Sequence, residues 1–262
     1  MAISTLLERY HPRDSTIHRA DARVKLVAAL VYIFAITFTR EGDWTALVLL
    51  AVPVAAVVVA SRLPPRLVLG RALLALPFLL VAVPLLFTRP GETIAQLPVL
   101  AWTVSDEGAV AVATILAKSW LSVIIAVVLM ATTEAPSLLR SLRALRLPRL
   151  LVASIEFAYR YLFVVTDEAS RMLQARASRS AALEGRRSGG TVRWRGRVAG
   201  NLVGTLFVRS IERSERVHAA MLARGYDGEP RQLAAPALDH SAAVVAALVV
   251  LYGCAVQVGV RL

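Results

Sequence analysis

Residues 109–131 read AVAVATILAKSWLSVIIAVVLMA and contain a single charged side chain, that of Lys118. A helix needs about 20 predominantly apolar residues to cross the hydrocarbon core of a bilayer. This stretch is long enough, so it predicts a transmembrane helix. A charge inside a span suggests a functional role by default. The alternative for Lys118 is a contact with a backbone carbonyl, or an extension of the side chain toward the membrane interface.

Four further apolar runs indicate a protein that crosses the membrane several times. Hydrophobic residues make up 57% of the chain and aromatic residues only 6%, so Ala, Val and Leu supply most of the apolar surface, as in lipid-facing helices. The predicted fold class is all-α, an integral membrane helical bundle of about five spans. The four runs lie at residues 24–39, 45–61, 68–87 and 241–260.

The charges between the runs predict the orientation of the bundle. The connection after the second run carries Arg62, Arg66 and Arg71 and no acidic residue, whereas the connections after the first and third runs carry acids. Basic connections stay on the cytoplasmic side. This pattern places the N-terminus and residues 132–240 in the cytoplasm of a bacterial cell whose membrane the chain crosses. No removable signal peptide is expected, because no A-x-A-like cleavage site follows a short apolar core near the start of the chain.

Residues 132–240 are too polar to span a membrane and too long for a simple loop. Two long helices are predicted there, from Arg149 to about Ser180 and from about Val198 to Arg224, with a Gly-rich break at 184–190. The chain therefore divides into a membrane bundle at 1–131, these two helices within 132–240, and a last transmembrane helix at 241–262.

Each long helix carries a stripe of apolar and small residues spaced alternately by three and four. Such a stripe packs on one partner, and small residues let two helix backbones approach closely. Ala158, Ser210 and Ser214 are therefore predicted at a helix crossing. The stripes comprise Leu151, Ile155, Ala158, Leu162, Val165, Ala169 and Met172 in the first helix, and Val203, Phe207, Ser210, Ser214, Val217 and Met221 in the second.

The two long helices end with the same short motif. Met-Leu precedes Ala175-Arg176-Ala177 in the first and Ala223-Arg224-Gly225 in the second. Small neighbours let a guanidinium enter a narrow groove, where its planar donors can bind carboxylate or backbone oxygens. The alternative is that each arginine only complements the dipole at the C-terminal end of its helix.

The stretch RSIERSERVHAAMLARGYDG at 209–228 resembles the signature of the transmembrane T components of energy-coupling-factor transporters, a family that includes cobalt-type permeases. The opening YHPRDSTIHRADARVKL at 10–26 resembles the start of that family, although Ala22 replaces a common proline. Asp21 can still cap the first membrane helix. In the first triplet, Ala177 stands where the family often has glycine.

This resemblance implies a function and a set of partners. Family members carry two crossed coupling helices, and an arginine near the end of each docks into one ATPase subunit. Arg176 and Arg224 would be these arginines. The implied partners are two energy-coupling-factor ATPase subunits (EcfA-type), a membrane-embedded S component that binds the vitamin or metal ion, and the lipid bilayer.

Several other functional classes find no support in the sequence. The chain has no P-loop motif, so it is not expected to bind ATP that way, and neither catalysis nor a cofactor is predicted. The single cysteine, Cys254, excludes an intrachain disulfide. The net charge of +12 is explained by cytoplasmic loops and anionic lipid, so no nucleic acid is expected. Two alternatives stay open, a dedicated cobalt, nickel or biotin permease and a membrane enzyme with a basic cytosolic face.

Overall fold

A computed structural model describes residues 13–73, 82–90, 93–97, 102–145, 147–179, 191–228 and 240–259. The chain divides into two compact units. The bundle unit comprises residues 9–145 and 236–262, and the two-helix unit comprises residues 1–8 and 146–235.

The bundle unit consists of helices and one small antiparallel sheet. Strand β1 (Thr93–Leu97) pairs with strand β2 (Trp102–Ser105) in the register Leu97 to Trp102. The helices are α1 (Thr16–Arg19), α2 (Ala22–Thr37), α3 (Trp44–Ala60), α4 (Pro65–Leu73), α5 (Leu85–Thr88), α6 (Asp106–Thr132), α7 (Ala135–Ala144) and α10 (His240–Gly259). The prediction of an all-α fold is confirmed for the described residues, with this strand pair as an addition that was not predicted.

Polar side chains at three helix N-termini fix where the apolar helices begin. Asp21 accepts a hydrogen bond from the Arg23 amide at 2.9 Å and so caps α2, as predicted. Asp43 caps α3 and Ser105 caps α6 in the same way. An N-cap of this kind typically contributes about 1 kcal/mol, because it satisfies an amide that has no partner within the helix.

The core of the bundle lies where α2, α3 and α10 meet. Tyr32 and Ile36 of α2 are buried against Leu50 of α3 and Val256 of α10. The Tyr32 hydroxyl donates to the Leu50 carbonyl oxygen at 2.9 Å, which satisfies the one polar atom of that ring. Helix α6 packs on α2, α3, α4 and α5 and so holds the bundle together.

A close approach of two backbones positions α5 on α6. Gly108 lies in the first turn of α6, and a Cβ atom added there would lie 2.7 Å from the Leu85 carbonyl oxygen. Only glycine therefore fits at this contact.

The outer surface of the bundle is apolar in a way that suits lipid. Large side chains such as Phe34, Val59 and Leu248 are 60%, 77% and 61% exposed. Exposed apolar surface of this extent marks contact with a membrane or a partner.

The helices follow four of the five predicted spans closely, and the third differs. Only α6, among the described helices, is long and apolar enough to cross a bilayer by length and composition; α3 and residues 243–259 form shorter apolar helices. In the third run, α4 ends at Leu73, a turn occupies 82–84 and α5 follows, while residues 74–81 lie outside the described part. The assignment of spans and domains stays a prediction.

Contacts between connecting segments place them at two ends of the bundle. Arg13 donates to the Arg62 carbonyl oxygen at 2.6 Å, so the N-terminal segment and the connection after α3 lie at one end. Arg89 pairs with Glu41, which joins the connections after α2 and α5. Both pairings are consistent with the predicted alternation of loops, although the side of the membrane on which each end lies stays a prediction.

The two-helix unit is formed by α8 (Arg149–Arg179) and α9 (Val192–Ala223). Helix α9 begins at Val192 rather than near Val198, because the Thr191 hydroxyl accepts a hydrogen bond from the Trp194 amide at 3.3 Å and caps it. The predicted Gly-rich break at 184–190 lies outside the described residues.

Candidate coupling site

Arg224 lies at a sharply terminated helix end. Gly225 has φ +77°, and its amide donates to the Leu222 carbonyl oxygen at 2.9 Å. The Tyr226 amide donates to the Met221 carbonyl oxygen at 3.0 Å. These two bonds form a Schellman motif, in which glycine supplies the left-handed residue that ends the helix.

The Arg224 side chain is exposed and has no side-chain partner among the described residues. Its small neighbours, Ala223 and Gly225, are exposed as well. A guanidinium with no internal partner and no bulky flanking groups can present all its donors to another protein.

Arg176 has a different environment, because its helix does not stop at the triplet. Helix α8 continues to Arg179, so Ala177 is helical and needs no left-handed backbone. This explains why alanine is suitable at that position. The Arg176 side chain is half-buried, and its Cζ atom lies 6.0 Å from the centroid of the Trp194 ring near the start of α9. The two triplets are therefore similar in sequence but not in local structure.

An ion cluster centred on Glu168 joins the two long helices. The Glu168 side chain is only 17% exposed and accepts hydrogen bonds from Arg209 of α9 at 2.5 Å and from Arg171 of its own helix at 2.7 Å. Arg213 lies 4.0 Å away. Hydrogen bonds from Arg171 and then Arg209 lower the pKa of the Glu168 carboxyl below its ordinary value.

Sequence reasoning missed Glu168, although one signal was present. An acid followed three residues later by Arg171 indicates an ion pair along one helix. The pairing with Arg209 depends on how α8 and α9 meet, which the spacing within either helix does not determine.

The residues predicted at the helix crossing differ in burial. Ser210 is half-buried and donates to the Leu206 carbonyl oxygen at 2.7 Å, whereas Ser214 is exposed and donates to the Ile211 carbonyl oxygen at 2.8 Å. Ala158 is exposed on α8. Glu168 forms an ion pair and Arg176 a cation–π contact across the pair, and the role of the three small residues stays a prediction.

The half-buried face of α9 follows steps of mostly four residues. Four-residue rows are the ridges of helices that cross at about 50°, whereas alternating steps of three and four belong to a coiled coil. The predicted stripe therefore departs from the observed face at Val203 and Phe207, which are 67% and 66% exposed, and at the exposed Ser214. The half-buried residues are Val198, Leu202, Leu206, Ser210, Arg213, Val217 and Met221.

An apolar stripe remains on the exposed side of α9. Val203, Phe207 and Ile211 recur every four residues and are 67%, 66% and 44% exposed. Exposed apolar residues in a row, beside charged ones, are typical of a surface that binds another protein.

Lys118 has an ordinary structural role. Its Nζ atom donates to the backbone carbonyl oxygens of Thr39 and Thr37, near the C-terminal end of α2. The carbonyl alternative for Lys118 is thus confirmed. A cation beside the carbonyls at a helix C-terminal end also complements the helix dipole.

Among the described residues, no group of three or more His, Cys, Asp or Glu side chains could hold a metal ion. Cys254 is a free, exposed thiol on α10.

Comparisons with known proteins agree on one family. The family described as Cobalt transport protein (CbiQ) matches residues 13–234. The energy-coupling factor transporter transmembrane protein EcfT of Thermanaerovibrio acidaminovorans is 33% identical over 239 residues, which cover 85% of this chain and 83% of that protein. The EcfT protein of Limosilactobacillus fermentum is 29% identical over 232 residues, covering 85% and 84%.

A third relative differs in size. A Bifidobacterium longum protein, BL0043, whose name describes an ABC transporter ATP-binding protein, is 28% identical over 258 residues. These cover 94% of this chain but only 32% of that protein.

Proposed function

This chain belongs to the CbiQ family of transporter membrane components, and we propose that it couples ATP hydrolysis by two partner ATPases to the movement of a membrane-embedded substrate-binding component. The observation that carries the proposal is the pair of Ala-Arg-small triplets on α8 and α9. Arg224 ends a stopped helix with no internal side-chain partner in the described part of the chain, and Arg176 lies on the other long helix.

Each arginine would dock into one ATPase subunit. A guanidinium can bind a carboxylate or backbone oxygens in a groove through two parallel hydrogen bonds, and the neighbouring alanines and glycine leave space for the groove walls. The apolar stripe of Val203, Phe207 and Ile211 would add buried area to the same interface.

The two helices would transmit force because they are long and joined. Helices of 31 and 32 residues extend about 47 Å at 1.5 Å per residue. The Glu168 cluster ties α8 to α9, so a displacement at a docked arginine would move both helices together.

The family and one relative in particular support the proposed ATPase partners. BL0043 aligns with this chain over about a third of its own length and is named for ATP binding. A protein of that kind supports an ATPase as the partner of a chain like this one.

The proposed substrate is a vitamin or a metal ion. The comparisons support two forms of the transporter, a dedicated cobalt permease and a shared energy-coupling subunit. The family description names cobalt transport, whereas the EcfT relatives are named for the energy-coupling factor. A dedicated cobalt permease predicts uptake of radioactive cobalt that depends on this chain. A shared energy-coupling subunit predicts uptake of more than one vitamin with different S components.

The coupling role is tested by removing the arginines. Arg224→Ala and Arg176→Ala should each reduce the amount of ATPase that co-purifies from membranes and lower substrate uptake. A charge-assisted hydrogen bond contributes about 1.5–3 kcal/mol, so each loss should weaken binding tenfold or more. The double variant should be worse than either, because the two triplets would meet different ATPase subunits.

Two controls make this result specific. Arg179→Ala removes an exposed arginine two residues beyond the first triplet and should leave both readouts unchanged. Arg224→Lys should rescue poorly, because an ammonium group lacks the planar pair of donors. If the double variant retains its ATPases and its full uptake, both arginines are only helix-end charges and the proposal fails.

A further inference from the structure

A cleft of about 610 Å³ opens between four helices of the bundle unit. Helices α2, α3, α6 and α10 each contribute to its lining. Most lining side chains are small or branched and apolar, among them Ala29, Val57, Val128 and Ala246. A volume between 300 and 1,000 Å³ with apolar walls and a few polar groups is typical of a ligand site.

The polar groups of the cleft lie at one end. Arg19 and Lys25 line it from the beginning of the bundle, and Thr132 lines it from the last residue of α6. Tyr32, seven residues further along α2, also lines the cleft, but its hydroxyl already donates to the Leu50 carbonyl oxygen. The cleft is therefore amphipathic, with a cationic mouth and an apolar interior.

Both cations at the mouth have capacity for an anion. Arg19 lies 3.5 Å from Asp14, with the two side chains 78% and 92% exposed, and such surface pairs are weak. The Lys25 ammonium group donates to the Thr132 carbonyl oxygen at 3.1 Å, the single hydrogen-bond partner of that group within the described residues. An ammonium group has three donors, so it can bind a further oxygen.

The depth of the cleft suits an acyl chain. Lys25 and Tyr32 are seven residues apart on α2, or about 10 Å at 1.5 Å per residue, which lies within one leaflet of a hydrocarbon core of about 30 Å.

We propose that this cleft binds one acyl chain of an anionic phospholipid, with the phosphate on Lys25 and Arg19. The cationic mouth lies at the end of the bundle predicted to face the cytoplasm, where anionic lipids are enriched and basic pockets between helices bind their headgroups. The proposal depends on the membrane placement of the bundle unit and does not depend on the docking of ATPases.

Retained lipid in the purified full-length chain tests the proposal. The protein is incubated with equal amounts of phosphatidylglycerol and phosphatidylcholine that have the same acyl chains, and bound lipid is measured by mass spectrometry. We expect a preference for phosphatidylglycerol. Lys25→Gln should lower bound phosphatidylglycerol about tenfold, the factor for one lost charge-assisted hydrogen bond. Ala246→Phe should fill the cleft and reduce it at least as much.

Matched variants separate this site from general lipid contact. Arg66→Gln removes an exposed cation that does not line the cleft, and Ala247→Phe adds the same side chain to α10 on an exposed position outside the lining. Neither should change lipid retention. Variants are compared only after far-UV circular dichroism and elution volume match those of the wild type, and Lys25→Gln tests the site without changing its shape.

Four results would overturn the proposal. The wild type could retain both lipids equally, the control variants could lose as much lipid as the test variants, or Lys25→Gln and Ala246→Phe could retain their lipid. Displacement of the lipid by millimolar inorganic phosphate alone would identify the ligand as free phosphate rather than a lipid headgroup.

Discussion

At the scale of single residues, the two coupling arginines differ in what surrounds them before any partner arrives. Arg224 is exposed beyond the last turn of α9, whereas the Arg176 guanidinium rests near the Trp194 ring. A cation over an exposed aromatic ring gains about 0.5–1 kcal/mol. Docking of Arg176 into a groove would have to replace that contact, so the first triplet should bind less tightly than its sequence suggests.

Trp194→Ala should therefore strengthen ATPase binding by about two- to fivefold, the factor equivalent to the lost ring contact. The measurement is the affinity of the purified chain for its ATPase subunits. In an Arg176→Ala background, the same substitution should have no effect, because no guanidinium then lies on the ring. Weaker binding by Trp194→Ala alone would mean that the ring orients Arg176 for docking.

At the scale of elements, the joint between α8 and α9 depends on one carboxylate with three arginine neighbours. Hydrogen bonds from Arg171 and Arg209 hold the pKa of Glu168 below its ordinary value of about 4.3. A group whose pKa is lower in the folded state stabilises that state above its unfolded pKa, and the contribution disappears as the pH falls through the folded pKa. The contribution of the Glu168 cluster to the packing of α8 on α9 should thus be constant from pH 5 to 8. It should be lost in acid below about pH 4.

Glu168→Gln should reproduce the acid effect at neutral pH. Amide hydrogen exchange along α8 and α9 should become several-fold faster at pH 7, and acid should accelerate it little further. Glu212→Gln is the matched control, because Glu212 forms an exposed pair with Arg216 at 3.9 Å within one helix. Equal protection in Glu168→Gln and the wild type would show that apolar contacts alone hold the two helices together.

The elements also show which features a single sequence can predict. The apolar runs locate α2, α3, α6 and α10 to within a few residues, because hydrophobic length sets a spanning helix. Asp21 was predicted as a cap because an Asx residue before an apolar run satisfies a free amide. Both are properties of adjacent residues.

Features that depend on how two elements pack against each other could not be predicted from the sequence. The exposed positions of Val203 and Phe207 follow from a face with four-residue steps, while the sequence fits steps of three and four equally well. The pairing of Glu168 with Arg209 joins residues 41 positions apart. Strands β1 and β2 follow a charged, Pro-containing connection with no clear alternation.

At the scale of the whole molecule, contacts at the two ends of the bundle unit agree with the predicted alternation of connections. Arg13 with Arg62 defines one end, and Glu41 with Arg89 defines the other. The excess of arginine in the connection after α3 then predicts which end faces the cytoplasm.

Cysteine labelling tests that orientation in a Cys254→Ala background. A cysteine at Glu92 should react with a reagent that does not cross the membrane, and one at Gly189 should react only after the membrane is permeabilised. The extent of labelling is read by gel shift in intact cells. The opposite pattern would reverse the orientation and place the two long helices outside the cell.

The packing of α10 on α2 has a consequence for biogenesis. The Gln257 side-chain amide donates to the Ala35 carbonyl oxygen at 2.7 Å, and the two residues are 222 positions apart. A ribosome adding about 5–20 residues per second takes on the order of 10–45 s to cover that interval. During that time α2 has already been synthesised, and the surface of α2 that later packs on α10 is uncovered. A nascent chain stalled before α10 would thus present an incomplete bundle to membrane chaperones and proteases. Synthesis of α10 should therefore be required before the chain assembles with other subunits.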